Sequence, residues 1–209
     1  MSDLRPLALK RVVLASASKT RLDLLAAAGL EVEAVPSGLD ERAVIAAIAA
    51  DDTDGLPPAD VAAVLAAAKA ETVSEMRPGE IVIGADQTLE FDGDLFVKPE
   101  TIEEARSNLL RLRGKTHLLH AAVSIVRDGE SLWSGLETAA LTMREFTPQF
   151  LGRYSVAAGS DMLESVGSYR IEGLGMQLFD RIEGDHTTIL GLPMLPVLTE
   201  LRKLGVVDK

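Results

Sequence analysis

The 209-residue sequence contains no cysteine and few aromatic residues, which make up 4% of the chain, with Trp133 as the single tryptophan. Without cysteine, neither a disulfide framework nor a thiolate site for zinc is available. The hydrophobic share of 47% must therefore come mainly from Ala, Val, Leu and Ile. No apolar run near residue 1 is long enough for a signal peptide or a membrane span. We therefore expect a cytoplasmic protein without a membrane partner.

Basic residues are also scarce, since 21 Lys and Arg face 32 Asp and Glu and the net charge is −11 at pH 7. A surface with this excess of negative charge repels phosphate backbones, so no nucleic-acid partner is expected. A small phosphorylated ligand remains compatible, because a few lysines can make the potential inside a cleft positive.

Helix and strand patterns alternate along most of the chain, and an antiparallel pair of strands is inserted among them. This pattern predicts an α/β fold built on a mixed sheet. The length of 209 residues allows one large domain or two small ones. Ser18 is predicted to cap a helix, and Thr101 with Glu104 to form a capping box. Strands are predicted at 7–16, 31–36, 81–86, 117–126 and 131–143, and Gly-punctuated strand and loop at 171–193. Helices are predicted at 19–28, 41–76 (interrupted by a loop at 51–60), 101–112, from 147 onward and 194–205.

The segment 14–25 combines a strand end, a loop of small residues and a helix start. Such a turn brings backbone N–H groups and the positive end of the helix dipole together, and Lys19 and Arg21 add charge. It is therefore a candidate phosphate cradle. The alternative is an ordinary strand–helix turn with two solvated cations.

The segment 81–99 predicts a buried strand followed by a hairpin that turns at Asp92-Gly93. If these two residues form the turn, Phe91 pairs with Asp94, and Gln87 pairs with Lys98. Lys98 then returns close to Asp86, which leaves the buried strand after Gly84 and Ala85. The pair is either part of a site or a structural salt bridge.

Lys69 falls on the apolar sector of its helix, between Leu65 and Val73. A lysine at such a position either extends to the helix edge or reaches an anion. Carboxylates suit Mg²⁺ or Mn²⁺, but 32 acidic residues make adjacent pairs common. The candidate acidic groups are Asp40-Glu41, Glu172, and Glu183 with Asp185. The three histidines lack a metal-ligand spacing and are predicted to be structural or surface residues.

Taken together, these segments resemble the Maf family of nucleotide pyrophosphatases. The shared motifs run in order from residue 12 to residue 204, almost the whole chain. They are LASAS-x-x-R at 14–21, DER at 40–42, AKA at 68–70, GADQ at 84–87, KP at 98–99, LRGKTH at 112–117, GSYRIEGLG at 167–175, and IEGD with LGLP between 182 and 193. The resemblance implies a single elongated α/β domain like inosine triphosphate pyrophosphatase, with a cleft between two lobes. It also implies a homodimer and a divalent metal cofactor, Mg²⁺ or Mn²⁺.

Site residues follow from the same resemblance, position by position. Asp86 matches the catalytic acid that accepts a proton, and also a metal position with Glu41. Ser16, Arg21, Lys69 and Lys98 match phosphate-binding positions. The usual Ser-Pro-Arg-Arg loop is Ser18-Lys19-Thr20-Arg21 here, so one arginine is missing and Lys19 is placed to replace it. Ala121 and Ala122 stand where a threonine and a glycine are usual.

The resemblance predicts that a nucleoside triphosphate is cut into monophosphate and pyrophosphate, with attack on the α-phosphorus by Asp86 or by a water that it orients. Gln87 and Glu172 resemble the branch acting on 7-methyl-GTP, whereas Thr20 replaces the bulky aromatic residue common there. These three positions are the predicted specificity residues. The alternatives are a broad or dTTP/UTP-directed pyrophosphatase, and a nucleotide-binding regulator of cell division.

Overall fold

The computed structural model describes residues 8–51 and 56–208. Leu7 of the first predicted strand and residues 52–55 of the predicted loop lie outside the described residues. Within the described ranges, no helix is long and apolar enough to cross a membrane. The strands are β1 Val12–Leu14, β2 Val32–Ala34, β3 Val82–Phe91, β4 Asp94–Phe96, β5 Thr116–Arg127, β6 Glu130–Met143 and β7 Phe179–Glu183. The α-helices are α1 Lys19–Ala27, α2 Glu41–Asp51, α3 Pro58–Met76, α4 Ile102–Leu112, α5 Pro148–Ala158, α6 His186–Ile189 and α7 Met194–Lys203.

The seven strands form one mixed sheet in the order β2-β1-β3-β5-β6-β7, with β4 paired to β3. Strand β1 runs parallel to β2 and β3, while β3, β5, β6 and β7 pair in antiparallel fashion. The predicted mixed α/β fold is therefore confirmed.

Three strands differ clearly in length from their predictions. Strands β1 and β2 are limited to Val12–Leu14 and Val32–Ala34, while β3 continues from Val82 to Phe91 and includes the first arm of the predicted hairpin. Strand β3 is long because β5 pairs with it over nine consecutive residues, from Val82 to Glu90. The predicted strand and loop at 171–193 contains a 3₁₀ helix at Leu174–Leu178, strand β7 and helix α6.

Local turn and cap signals agree closely with the structure. Phe91 pairs with Asp94, and the turn residues Asp92 and Gly93 have φ angles of 53° and 85°, as a type I′ turn requires. The Ser18 hydroxyl accepts a hydrogen bond from Arg21 N at 3.4 Å. The capping box at α4 is only half formed: Thr101 accepts from Glu104 N, but the Glu104 carboxylate accepts from the N–H of Glu100.

Two hydrophobic clusters lie along the same pair of long strands. One contains Ile83 and Ala85 of β3 and packs against α1 and α7. The other contains Leu89 and Phe91 of β3 and packs against α4, α5 and the segment that holds Tyr169. Asp86, Gln87 and Thr88 belong to neither cluster, so a polar stretch of β3 lies between the two cores. This division agrees with the expected cleft between two lobes.

Helix α3 packs against β3 at Gly84. A Cβ atom at this position would overlap the carbonyl oxygen of Ala66 and the backbone of Ala70, so only glycine permits the close approach. The turn of α3 that packs on Gly84 includes Lys69, which therefore lies beside Asp86.

His117 is buried in the second cluster, with Nε2 2.7 Å from the hydroxyl of Tyr169. The prediction of a structural histidine is confirmed, and a surface location is excluded. Burial lowers the pKa of His117 from 6.5 to about 4. Between pH 6.5 and 4, His117 is therefore protonated in the unfolded chain but neutral in the folded protein. As a result, the free energy of unfolding decreases as the pH falls from 6.5 towards 4.

At pH 5 this single group should lower the free energy of unfolding by about 2 kcal/mol relative to pH 7.5. Urea unfolding of the wild type and of His117→Gln at both pH values measures it, because the variant cannot titrate there. The pH-dependent loss should be smaller in the variant by about that amount. Equal losses in the two proteins would contradict the assignment.

Candidate functional site

The site lies where one edge of β3 changes partners. Strand β5 occupies one edge along almost the whole of β3, so β1 and β4 must share the other edge. Strand β1 pairs there with Val82 and Ile83, and β4 pairs with Leu89 to Phe91. Between these two pairings neither β1 nor β4 pairs with β3, and Asp86 lies in this stretch. Crevices where neighbouring strands diverge are common ligand sites in α/β sheets.

Asp86, Lys69 and Glu41 form the charged centre of the site. The Nζ atom of Lys69 lies 2.5 Å from Oδ1 of Asp86 and 2.6 Å from Oε1 of Glu41. Lys69 and Asp86 are each 6% exposed, while the Glu41 side chain at the start of α2 is half exposed. Of the two interpretations of Lys69, the one in which it reaches an anion is therefore correct.

The ionisation of Asp86 is set by opposing effects. Burial raises the pKa of its carboxyl group, and the nearby charges of Lys69 and Arg21 partly offset this by lowering it. The result is a pKa above the ordinary value for aspartate. A carboxylate with a raised pKa is a stronger proton acceptor, which suits general base chemistry.

The loop before α1 provides a second polar group beside Asp86. Buried Ser16 accepts hydrogen bonds from Ser18 N at 3.1 Å and from Nη1 of Arg21 at 3.3 Å. The same Nη1 donates to the carbonyl of Ala85 at 2.9 Å, and Nε donates to that of Gly191 at 2.9 Å. Burial lowers the pKa of Arg21, whereas Asp86 and Glu41 raise it. Arginine stays charged, and Nη2 is left to meet an anion.

A cavity of about 1150 Å³ contains all ten predicted site residues in its lining. The members at its rim are Lys98, Lys19, Thr20 and Glu172. Lys98 is exposed and, within residues 8–51 and 56–208, makes no ion pair. The predicted proximity of Lys98 to Asp86 thus takes the form of a shared cavity, while the ion-pair partner of Asp86 is Lys69.

Two other rim residues have partners that the sequence did not suggest. The ammonium group of Lys19 is exposed and binds Asp23, one helical turn further along α1. The Glu172 carboxylate accepts hydrogen bonds from Nε and Nη2 of Arg170 at 3.3 and 3.1 Å. Each charge is therefore partly neutralised before any ligand binds.

Five charged cavity residues were not among the sequence-based candidates: Asp23, Arg42, Asp161, Glu164 and Arg170. Asp161 and Glu164 precede the GSYR motif, so extending that motif by a few residues would have included them. Conversely, Asp185 is not part of the cavity lining. Its carboxylate accepts from the N–H groups of Thr187 and Thr188 and caps helix α6.

The donor set fits a divalent metal that the substrate helps to hold. Among the described residues, no group of three or more His, Cys, Asp or Glu side chains surrounds one point. Asp86 and Glu41 nevertheless converge on a single cation, the ammonium of Lys69. Mg²⁺ is commonly bound by one or two carboxylates together with substrate phosphates. Two converging carboxylates beside a cationic cleft meet that requirement.

Comparison with known proteins identifies the family of this chain. The chain matches the family described as Maf-like protein over residues 11–204, and it belongs to that family. It is 51% identical to a 7-methyl-GTP pyrophosphatase of Mesorhizobium japonicum, over 95% of this chain and 98% of that protein. It is 49% identical to a nucleoside triphosphate pyrophosphatase of Nitrobacter hamburgensis, over 95% of this chain and 96% of that protein.

Among solved structures, a dITP/XTP pyrophosphatase from Mycobacterium abscessus aligns with 66% of this chain and 76% of its own. The TM-score is 0.36 and the identity 15%, so no conclusion is drawn from this similarity.

Proposed function

We propose that this protein is a nucleoside triphosphate pyrophosphatase, which hydrolyses the α–β phosphoanhydride bond to release a nucleoside monophosphate and diphosphate. The observation that carries the proposal is the buried Asp86 carboxylate with a raised pKa, joined through Lys69 to Glu41 in a large cavity. The names of the two relatives support the same reaction.

In the proposed mechanism, Asp86 accepts a proton from the attacking water. The water oxygen forms a bond to the α-phosphorus, and the bond from that phosphorus to the bridging oxygen breaks. Lys69, Arg21 and Lys98, with Lys19 at the rim, balance the charge of the triphosphate chain, and the Ser16 hydroxyl donates to a phosphate oxygen. Phosphoryl-type transfer depends mainly on such positioning and charge neutralisation.

A divalent cation, Mg²⁺ or Mn²⁺, would be held by Glu41 and Asp86. When bound, it supplies charge neutralisation at the phosphate oxygens. The proposal is tested by measuring diphosphate and monophosphate together over a nucleotide panel, with EDTA and with each metal restored. Loss of turnover in EDTA and recovery with metal support it. Nucleotide binding without product formation under every condition would favour the alternative of a regulator of cell division that binds nucleotide.

We further propose 7-methyl-GTP as the preferred substrate, with a broad or dTTP/UTP-directed activity as the alternative. Besides Glu172, the part of the cavity lining formed by residues 161–172 carries the exposed carboxylates of Asp161 and Glu164 and the guanidinium of Arg170. A net negative group of this kind attracts a purine that carries a positive charge after N7 methylation. Thr20 offers no aromatic face for stacking, so the preference should be modest.

Glu172→Gln should reduce the preference for 7-methyl-GTP over GTP by about two- to fivefold, the range for partly exposed charge pairs. The reason is that Arg170 then faces the base without its counterion. Arg170→Gln is the matched variant and should widen the preference, because it frees the Glu172 carboxylate. The measurement is kcat/KM for 7-methyl-GTP, GTP, dTTP and UTP. Faster hydrolysis of dTTP or UTP by the wild type would reject this substrate while leaving the reaction class intact.

Three further expectations stay predictions: one domain over residues 1–209, a homodimer and a cytoplasmic location. Light scattering coupled to size exclusion measures the oligomeric state directly. A single cooperative unfolding transition would support one domain.

A further inference from the structure

Gln87 lies next to Asp86 on β3 but contacts the opposite wall of the cavity. Successive strand residues point to opposite faces, so Asp86 meets Lys69 of α3 while Gln87 meets helix α6. Its Nε2 donates to the carbonyl oxygens of Thr188 and Ile189, at 3.0 Å each. These carbonyls lie at the end of the short helix α6, and that of Thr188 also accepts a hydrogen bond from the N–H of Gly191. Both N–H groups of the amide are therefore committed, and only Oε1 remains to accept a bond.

Arg21 binds the same segment from the other side. Its Nε donates to the carbonyl of Gly191, while Nη1 donates to that of Ala85, the residue before Asp86. Gly191 has a φ of 90°, and a Cβ there would lie 3.3 Å from Nη2 of Arg21 and 3.5 Å from Oε1 of Gln87. The two side chains therefore enclose a turn that suits glycine. The turn at 188–191 is tied to the residue before Asp86 and to the residue after it.

We infer that Gln87 is a positioning residue, which together with Arg21 holds the 188–191 turn against the strand that carries Asp86, and that it does not select the base. The inference rests on the proposed pyrophosphatase function. Ile189 and Leu190 of this segment line the cavity. If the 188–191 turn is held less firmly, the cavity wall and the strand that carries Asp86 shift from their positions. Such a shift misplaces Asp86 relative to any substrate, so it lowers turnover for every nucleotide to a similar extent. A residue that reads the base would instead change the ratio between nucleotides.

Gln87→Met tests the inference because methionine has a similar length, has no N–H group to donate and adds no charge to the cavity. We expect kcat to fall about tenfold or more for both 7-methyl-GTP and GTP, with KM and the ratio of the two kcat/KM values within about twofold of the wild type. Gln149→Met, an identical change at an exposed position of α5 outside the cavity lining, is the control and should leave kcat unchanged. A nucleotide ratio shifted more than about fivefold, or a kcat within twofold of the wild type, overturns the inference.

Amide hydrogen exchange provides a readout that does not depend on activity. Exchange at residues 187–192 should increase about tenfold in Gln87→Met, while α4 stays unchanged, because the lost bonds are local. If the wild type hydrolyses none of the nucleotides, the proposed function fails but the contact is still tested. Unchanged exchange at 187–192 then overturns the inference, and increased exchange supports it.

Discussion

Replacing Asp86 with asparagine should lower kcat by about 10²-fold or more while nucleotide binding stays largely intact. Asparagine keeps the shape of the side chain but cannot accept the proton of the attacking water or hold a cation by charge. Lys69 and Arg21 remain in place to bind phosphate. Diphosphate release measures kcat, and isothermal titration of a nucleotide measures binding.

Asp92→Asn is the matched control for this prediction. It removes the same charge from the same hairpin, at an exposed turn residue outside the cavity lining. The φ of 53° at Asp92 is a backbone conformation that asparagine tolerates, so the fold should be unaffected. A kcat of Asp86→Asn within threefold of the Asp92→Asn value would contradict the assignment of Asp86 as the proton acceptor.

Replacing Lys69 with methionine should also lower kcat by about 10²-fold, because the ammonium that balances Asp86, Glu41 and the substrate phosphates is lost. Stability should change with a defined pH dependence. Lys69 lowers the pKa of Asp86 against the effect of burial, so its removal raises that pKa further. A group whose pKa is higher in the folded state stabilises the fold at low pH, and this contribution is lost as the pH rises through the folded-state pKa.

Lys69→Met should therefore be destabilised relative to the wild type by up to about 3 kcal/mol at pH 8, where Asp86 would be charged and unpaired, and much less at pH 5. Urea unfolding at the two pH values measures the difference. The double variant Lys69→Met with Asp86→Asn should lose this pH dependence, because no buried carboxyl group remains to titrate. A destabilisation equal at both pH values would mean that Lys69 serves only as a packing residue.

Lys98→Ala tests whether the charge of Lys98 contributes to turnover or to the stability of the fold. Lys98 is exposed at the cavity rim, so its removal should reduce kcat/KM by about tenfold without changing the melting temperature. A collapse of the melting temperature would instead assign Lys98 a structural role.

Short-range features of this chain were predictable because neighbours in sequence determine them. The Asp92-Gly93 turn needs two residues that tolerate positive φ, and this requirement alone sets the hairpin register. The caps at Ser18 and Thr101 likewise depend on a hydroxyl three residues from an unpaired N–H group. The apolar sector around Lys69 follows from helical periodicity, although periodicity could not decide between solvent and an anion as its partner.

Long-range partners were not predictable, because they depend on how elements pack. Lys69 forms its ion pair with Asp86 only because α3 packs closely against the sheet at Gly84. Arg21 and Gln87 were predicted to contact substrate, yet Nε of Arg21 and Nε2 of Gln87 donate to carbonyls of residues 188–191, which are more than 100 positions away along the chain. The ion pair of Glu172 with Arg170 lies close in sequence, but backbone direction decides whether two such side chains meet.

The amino-acid sequence by itself determined the mixed α/β class, the family and seven of the charged residues that line one cavity. Periodicity, turn chemistry and motif order are properties of the chain, and they do not need a folded structure to be recognised. The tertiary structure alone decided how the central charges are shared, because Lys69 of α3 pairs with Asp86 of β3 and with Glu41 of α2. Ion pairing depends on distances of a few ångströms, and only the packing of helices on the sheet sets those distances.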